Sequence, residues 1–136
     1  RRNNMPVIKI QYSGEPLSND TCAMLQRQVT GLINRVLGKA LPVTAVLISS
    51  LPAQQWSVGG DAITQQRSAL MEIYITSGTN SADEKQQMIR EAYSLLDATL
   101  GALLEASYVV IQEIEPTDWG YAGLTQDQRR RTKAQS

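Results

Sequence analysis

Pro6 is the residue with the most distinctive chemistry in this sequence, because it directly follows Met5 and opens a β-branched run. As the first residue of a chain, a proline carries a free secondary amine. An α-amino group has a pKa of ~7.7–8.0, and an apolar pocket lowers it by disfavouring the charged form. A base with a pKa near ambient pH suits general acid–base catalysis. In the sequence as written, Met5 makes this nitrogen an amide, and the alternative is a proline that simply begins a strand.

The other residue types limit the chemistry further. The chain has no histidine and one cysteine, Cys22, which excludes Ser-His-Asp triads, Cys-His pairs and zinc sites made of histidine or thiolate ligands. The Gly59-Gly60 pair fits neither the dinucleotide-binding pattern nor the Walker pattern. We therefore expect no metal and no cofactor. Acid–base chemistry is left to carboxylates, lysine, tyrosine, Cys22 or a terminal amine.

The composition predicts one globular domain over residues 1–136. The chain has 136 residues, 13 Lys+Arg against 13 Asp+Glu, and 42% hydrophobic residues. This balance predicts no nucleic-acid partner, and no apolar run reaches the ~20 residues of a membrane-spanning helix. Residues 1–4 lead into a strand pattern rather than a signal-peptide core. A lone cysteine favours a reducing compartment, so we expect a cytoplasmic protein without a membrane partner.

Hydrophobic periodicity predicts four strands and two helices. The strands are expected over residues 6–12, 44–49, 69–76 and 108–112, and the first helix over residues 21–37. Ser18 or Asp20 is expected to cap that helix at its start, and Gly38 to end it. Ser81 and Glu84 have the spacing of a capping box, which begins the second helix.

The C-terminal residues 126–136 are basic, with three successive arginines at 129–131. We interpret them as a polar tail that is solvated or clasps another subunit. Binding of anions or nucleic acid is the alternative.

The two halves of the chain repeat each other. At an offset of 63 residues they match at Ile10/Ile73, Asp20/Asp83, Gly38/Gly101, Ile48/Ile111, Trp56/Trp119 and Gly60/Gly123. The chain has only two tryptophans, and they are equivalent. This register indicates a tandem duplication of a β-α-β unit, with repeats over residues 5–63 and 69–126.

The duplication predicts an α+β fold of two layers. Since a β-α-β crossover joins parallel strands right-handedly, two units give a four-stranded sheet with two helices on one face. The other face would be bare. Six strand residues are expected to make that face apolar: Ile8, Ile10, Val46, Ile73, Ile75 and Val110. We therefore predict a closed symmetric oligomer.

Several stretches resemble the 4-oxalocrotonate tautomerase family. They are the Met-Pro start with its strand at residues 5–10, the loop WSVGG at 56–60, the strand YVVIQE at 108–113 and the loop WGYAG at 119–123. The chain looks like a fused member with two short subunits in one polypeptide. The resemblance implies a tautomerase fold and a homotrimer, in which a fused chain replaces each dimer of a hexamer. It also implies that the catalytic base is the N-terminal proline, here Pro6, whose counterpart Ala69 is internal.

The sequence departs from the family where the family binds substrate carboxylates with arginines. One such position has Glu15 in the first repeat and Thr79 in the second. Arg67 or Lys9 could supply a cation instead.

Another arginine position has Ala45 and Tyr108 in the two repeats, and Tyr108 could replace the arginine with a hydroxyl donor. The resemblance places Trp119 as the pocket wall beside Pro6, with Trp56 as its counterpart and Tyr121 as a further lining residue. Packing or subunit contacts are the alternative role of these aromatic residues.

Three functions remain open. The first is an isomerase that moves a proton between the keto and enol forms of a small 2-oxo acid or similar carbonyl compound, with Pro6 as base. The second is a non-catalytic trimeric binding or structural protein of the same fold. The third is a related hydratase, dehalogenase or decarboxylase.

Overall fold

The computed structural model describes residues 5–135, with side chains described as far as residue 132. Residues 1–4, interpreted above as leading into the first strand, lie outside the described residues. The elements are β1 (Val7–Ser13), α1 (Asn19–Leu37), β2 (Ala45–Leu51), β3 (Ser57–Val58), β4 (Asp61–Ala62), β5 (Ala69–Thr76), α2 (Ala82–Leu100), β6 (Tyr108–Ile114), β7 (Gly120–Tyr121), β8 (Leu124–Thr125) and α3 (Gln126–Gln135).

The main sheet has four strands in the order β2-β1-β5-β6. β1 runs parallel to β2, β5 runs parallel to β6, and β1 and β5 meet antiparallel at the centre. Ile8 lies opposite Ile73 in that central pair. Each repeat is thus one β-α-β unit, and the predicted duplicated α+β fold is confirmed.

Local chemistry begins and ends the helices as the sequence predicted. The Ser18 hydroxyl accepts a hydrogen bond from the backbone N–H of Thr21, so Ser18 is the N-cap of α1. Gly38 ends α1 in the left-handed conformation, with φ of 71°. The capping box of Ser81 and Glu84 is formed at the start of α2.

The core lies between the sheet and the pair α1 and α2. Its strand residues occupy every second position, as one face of a pleated sheet requires. The most buried members are Ile8, Ile10, Tyr12, Met71, Ile73 and Ile75 from the sheet, with Leu25, Val29, Ile33, Met88 and Leu96 from the helices.

This arrangement corrects the expected content of the bare face. Four of the six residues expected there lie under the helices and are at most 1% exposed: Ile8, Ile10, Ile73 and Ile75. Val46 pairs with Ile8 and packs against the same core. Alternation separates the two faces of a strand, but it does not say which face the helices cover. Only Val110, 36% exposed, lies on the uncovered face.

The uncovered face is mixed in character. Besides Val110 it exposes Leu47 (53%) and Tyr108 (61%). Lys9 lies directly opposite Glu72 on the same face, so opposite charges stand among the apolar groups. It is a less apolar surface than the sequence suggested, although large apolar side chains still project from it.

Each repeat ends in a small hairpin. The turn of the β3–β4 hairpin has Gly59 and Gly60 at φ of 67° and 91°, and the β7–β8 turn has Ala122 and Gly123 at 53° and 83°. Two successive residues with positive φ are typical of a type I′ hairpin turn. The duplication therefore extends through the hairpins.

The C-terminal segment differs from the expected polar tail, because it forms α3 and packs onto the second hairpin. The backbone N–H groups of Gln126 and Asp127 donate to the carbonyls of Trp119 and Pro116. No helix in the described part of the chain is long and apolar enough to cross a membrane.

Candidate functional site

Pro6 lies immediately before β1 and is buried. Its carbonyl accepts a hydrogen bond from the N–H of Ala45 at 3.3 Å, which joins it to the start of β2. Val7 pairs with Tyr74, so the next step of the antiparallel register brings Pro6 beside the end of β5. Met5 is only 6% exposed, and its peptide bond occupies the Pro6 nitrogen.

Trp119 lies at the same end of the sheet as Pro6. Its indole N–H donates to the Thr76 hydroxyl at 3.2 Å, and Thr76 is the last residue of β5. Thr76 is fully buried and Trp119 is half-buried. Among the predicted pocket aromatics, Trp119 has a side-chain hydrogen bond to the strand end beside Pro6.

Tyr108 lies at the opposite end of the sheet. It begins β6 and pairs with Leu70, whereas Pro6 lies beside the other end of β5. At ~3.4 Å per residue, roughly five strand residues separate the two positions by about 17 Å. Tyr108 is also 61% exposed, so no site within one chain includes both residues.

Trp56 and Tyr121 occupy other surroundings. Trp56 follows β2, whose last residue Leu51 pairs with Ser13 at the end of the sheet away from Pro6. Tyr121 is half-buried on β7, and the Arg129 guanidinium lies 3.8 Å from its ring centroid. Tyr121 therefore lies close to Trp119 along the chain, and the Arg129 guanidinium covers one face of the Tyr121 ring.

Lys39 is a buried cation at the Pro6 end of the sheet that the sequence analysis did not consider. It follows the C-cap of α1 and is fully buried. Its ammonium donates to the Thr79 hydroxyl at 2.8 Å, and that hydroxyl donates to the carbonyl of Thr76 at 2.7 Å. A lysine next to a helix-ending glycine is ordinarily a surface residue, and its partner lies 40 positions away, so no local signal marked it.

Lys39 supplies a cation beside one of the positions at which the family has an arginine and this chain has none. Thr79 is the residue that stands at one of the arginine positions, and Lys39 binds it directly. Since Thr79 also binds the Thr76 backbone, Lys39 and Trp119 meet the same strand end from two directions. Burial of an ammonium group is unfavourable unless the group is hydrogen-bonded, so the buried position of Lys39 depends on its hydrogen bonds.

The two cations considered from the sequence lie elsewhere. Arg67 donates through Nη1 to the carbonyls of Ser13 and Glu15 at 3.0 and 2.7 Å, and its guanidinium lies 5.3 Å from the Tyr12 ring centroid. It therefore binds the end of β1 that is remote from Pro6. Lys9 is exposed on the uncovered face.

The position equivalent to Pro6 in the second repeat is occupied by a closed hydrogen-bond network. The Ala69 N–H donates to the Ser107 hydroxyl at 3.1 Å, and the neighbouring Ser68 N–H donates to the Ser13 hydroxyl at 2.9 Å. Ser13 and Ser68 are both 1% exposed. These contacts join β1, β5 and the segment before β6 at the Ala69 end of the sheet.

Two carboxylates border the Pro6 end. Glu115 accepts a hydrogen bond from the Ser77 hydroxyl at 3.0 Å. Glu113 forms an ion pair with Lys85 at 3.3 Å. Both acidic groups are engaged with neighbours at this rim.

Sequence relatives identify the family. The family model described as tautomerase enzyme matches residues 70–128, which lie in the second repeat and the start of α3. A probable tautomerase of Dickeya dadantii (strain 3937) is 34% identical over 63 residues, which are 94% of that protein and 46% of this chain. The chain belongs to the tautomerase family. This tautomerase-family chain thus holds two units of the size that its relative has once.

Solved structures of fused tautomerases share the fold. A fused 4-OT solved as a symmetric trimer aligns with a TM-score of 0.78 at 18% identity, covering 89% of this chain and 96% of its own. Another, solved as an asymmetric trimer, gives 0.80 at 22% identity, with 90% and 98% covered. A macrophage migration inhibitory factor-like protein from Entamoeba histolytica gives 0.73 at 18% identity, with 88% and 97% covered. The predicted membership of the 4-oxalocrotonate tautomerase family, as a fused chain, is confirmed, and family and fold together support a tautomerase-superfamily isomerase.

Proposed function

We propose that the form of this protein whose chain begins at Pro6 interconverts the keto and enol forms of a small 2-oxo acid. The observation that carries the proposal is the position of Pro6. It is the residue before the first strand of a tautomerase fold, at the sheet end that also holds Trp119 and Lys39. A free amine there lies in a buried setting, which favours its neutral, basic form.

The reaction needs one base and a stabilised enolate. The neutral Pro6 amine accepts a proton from the carbon next to the carbonyl, the electron pair of the broken C–H bond forms the new C=C bond, and the π pair of the carbonyl moves to its oxygen. The resulting ammonium returns the proton to the oxygen, which completes the enol. The positive charge of Lys39, whose ammonium is hydrogen-bonded to Thr79, stabilises the oxyanion that develops between these steps.

The half-buried indole of Trp119 supplies the apolar wall of this proposed pocket. Its ring excludes water from one side of the substrate, and the hydrogen bond to Thr76 fixes its nitrogen edge. The positions at which the family binds substrate carboxylates with arginines hold Thr79 and Tyr108 in the second repeat, so we favour a substrate with one carboxylate.

We further propose a homotrimer. The fused 4-OT relatives were solved as trimers, and the uncovered sheet face of this chain exposes Leu47, Tyr108 and Val110. In a trimer, the exposed Tyr108 of one chain could reach the Pro6 end of the next and donate its hydroxyl there. Light scattering is expected to give three times the chain mass of 15.0 kDa, and a monomeric mass would contradict the proposal.

The alternative is a non-catalytic protein of the same fold. The burial of Met5 and its peptide bond to Pro6 favour that alternative for the chain as written, because an amide nitrogen cannot act as the base.

One experiment separates the two functions. Protein made with Met5 as its start is checked by intact mass for loss of methionine, and its ketonisation of phenylenolpyruvate is compared with that of the full chain and of Pro6→Ala. The form that begins at Pro6 is expected to be faster than both by about 10²-fold or more. Equal rates for all three proteins would exclude the proline mechanism.

A further inference from the structure

The hairpins of the two repeats differ in what packs against them. In the first repeat, a groove of about 390 Å³ lies along the β3–β4 hairpin and the segment after it. Most residues that line it are the counterparts, at the offset of 63, of β7, β8 and the first turn of α3: Val58, Asp61, Ala62, Ile63, Thr64, Gln65 and Gln66. In the second repeat, α3 and its contacts occupy the corresponding place. The hairpin next to Trp119 is thus held by a helix that the hairpin next to Trp56 lacks.

The Arg129 side chain joins α3 to strand β7 of this hairpin. Its guanidinium stacks on Tyr121 with 3.8 Å between the central carbon and the ring centroid, and its Nη2 donates to the Tyr121 carbonyl at 2.9 Å. The Nε atom is buried, so this part of the cation is shielded from water. A cation–π contact gains strength when the cation is desolvated. The corresponding pair in the first repeat is Val58 and Gln66, which cannot form this stack.

A backbone hydrogen bond also joins α3 to the loop before Trp119: the Asp127 N–H donates to the Pro116 carbonyl at 2.8 Å. The Gln126 N–H donates to the Trp119 carbonyl at 2.9 Å, and Gln126 is 5% exposed. The first repeat has the same bond at the equivalent residues, at 3.0 Å, so this second bond belongs to the hairpin of each repeat. Gln126 and Arg129 are three residues apart, so they lie on one side of the helix, one turn from each other.

We propose that the stack of Arg129 on Tyr121, here called the α3 clamp, is a positioning device that sets the orientation of Trp119. Release of the clamp frees the first turn of α3 and the β7–β8 hairpin, and the indole then samples more than one orientation. The effect of the α3 clamp on turnover rests on the function proposed above, whereas its effect on the orientation of Trp119 does not.

Fluorescence of a single tryptophan tests the orientation without any assay of activity. In a Trp56→Phe background, emission comes from Trp119 alone. Arg129→Ala is expected to shift that emission to longer wavelength, because the indole becomes more exposed to water. Quenching by acrylamide is expected to rise about two- to fivefold, which corresponds to the loss of one cation–π contact. Arg130→Ala is the matched control, because Arg130 is exposed on the same helix and loses the same charge. It is expected to leave the emission unchanged.

Two further variants distinguish the clamp from a general loss of helix. Tyr121→Phe keeps the ring and the backbone acceptor, so its emission is expected to match the parent. Arg129→Lys keeps the charge but loses the planar stack, so it is expected to behave like Arg129→Ala. The inference is wrong if Arg129→Ala leaves Trp119 unchanged, or if Arg130→Ala changes it equally.

In the form that begins at Pro6 with both tryptophans present, Arg129→Ala is expected to raise KM about two- to fivefold with little change in kcat, since the pocket wall moves while the base does not. If that form has no activity, the proposed function fails and the fluorescence result still decides the α3 clamp. If Arg129→Ala does not fold, the comparison of Arg129→Lys with Tyr121→Phe gives the decision.

Discussion

The indole N–H of Trp119 donates to the hydroxyl of Thr76 across 3.2 Å, and this bond ties the second hairpin loop to the end of β5. Thr76 is fully buried, so its hydroxyl has no access to water as an alternative partner. The contact links the proposed pocket wall to the strand that lies beside Pro6.

A double-mutant cycle measures that bond. Thr76→Val keeps the shape of the side chain and removes the acceptor, and Trp119→Phe removes the donor. Each change is expected to destabilise the fold, and the coupling energy is expected to be about 1 kcal/mol, as for a typical buried hydrogen bond. Denaturant unfolding of the four proteins gives the value. Strict additivity of the two changes would show that the bond does not form in solution.

Removal of the Lys39 charge tests its role in the proposed reaction. Lys39→Met keeps the length of the side chain, and in the form that begins at Pro6 it is expected to lower kcat/KM about 10²-fold through loss of oxyanion stabilisation. The free energy of unfolding is expected to fall by about 1 kcal/mol or more, because the buried hydrogen bond to Thr79 is lost. Steady-state kinetics and thermal unfolding provide the two measurements.

Lys85→Met is the control for that experiment. It removes one lysine charge and the surface ion pair with Glu113, which spans 3.3 Å. Such a pair contributes about 0–1 kcal/mol, and the activity is expected to stay at the level of the parent. Comparable losses in the two variants would assign the effect to net charge rather than to Lys39.

Two Gly→Ala substitutions are expected to have opposite signs. A Cβ at Gly120 would clash with the Leu124 carbonyl inside the β7–β8 hairpin, so Gly120→Ala forces that hairpin apart. We expect a loss of about 2 kcal/mol or more. Gly31 lies in α1 with open space at its Cβ position, so Gly31→Ala is expected to stabilise the fold by about 0.5–1 kcal/mol. Urea unfolding compares the two, and a stabilising Gly120→Ala would contradict the hairpin geometry.

Glu91 is expected to contribute a small dependence of stability on pH. The hydrogen bond from Gln87 and then the Arg35 guanidinium, whose Nη2 lies 3.1 Å from the carboxylate, hold the pKa of Glu91 below its ordinary value. A depressed pKa in the folded state stabilises the fold above the unfolded-state pKa of ~4.3, and the contribution is lost as the pH falls through the folded-state value.

An NMR titration measures this directly. The midpoint of Glu91 is expected below the ordinary glutamate range, and Gln87→Ala and Arg35→Ala are each expected to raise it. A midpoint that both substitutions leave unchanged would contradict these two causes.

The sequence predicts the elements and their duplication because those depend on local signals. Ser18, Gly38 and the Ser81–Glu84 capping box act within one helical turn, and the offset of 63 needs only the order of residues. The side of the sheet that the helices cover is not local. Both faces of β1 carry β-branched residues, Val7 on one and Ile8 on the other, so alternation alone left the choice open.

The candidate site was predictable only in part. Pro6 was identified by its position after Met5, and Trp119 by the resemblance to the tautomerase family. The Lys39 contact joins side chains 40 residues apart, and no periodicity encodes it. α3 was missed because it binds the hairpin through Arg129 stacked on Tyr121 rather than through an apolar stripe.

The antiparallel pairing of β1 with β5 joins the two repeats within one chain. In a dimer of identical chains, every substitution appears at both ends of the sheet. In the fused chain each end can change alone, and the two ends differ at the offset of 63: Pro6 corresponds to Ala69, and Lys39 corresponds to Ala102. One end is thereby free to retain a reactive group while the other is optimised for holding the chain together.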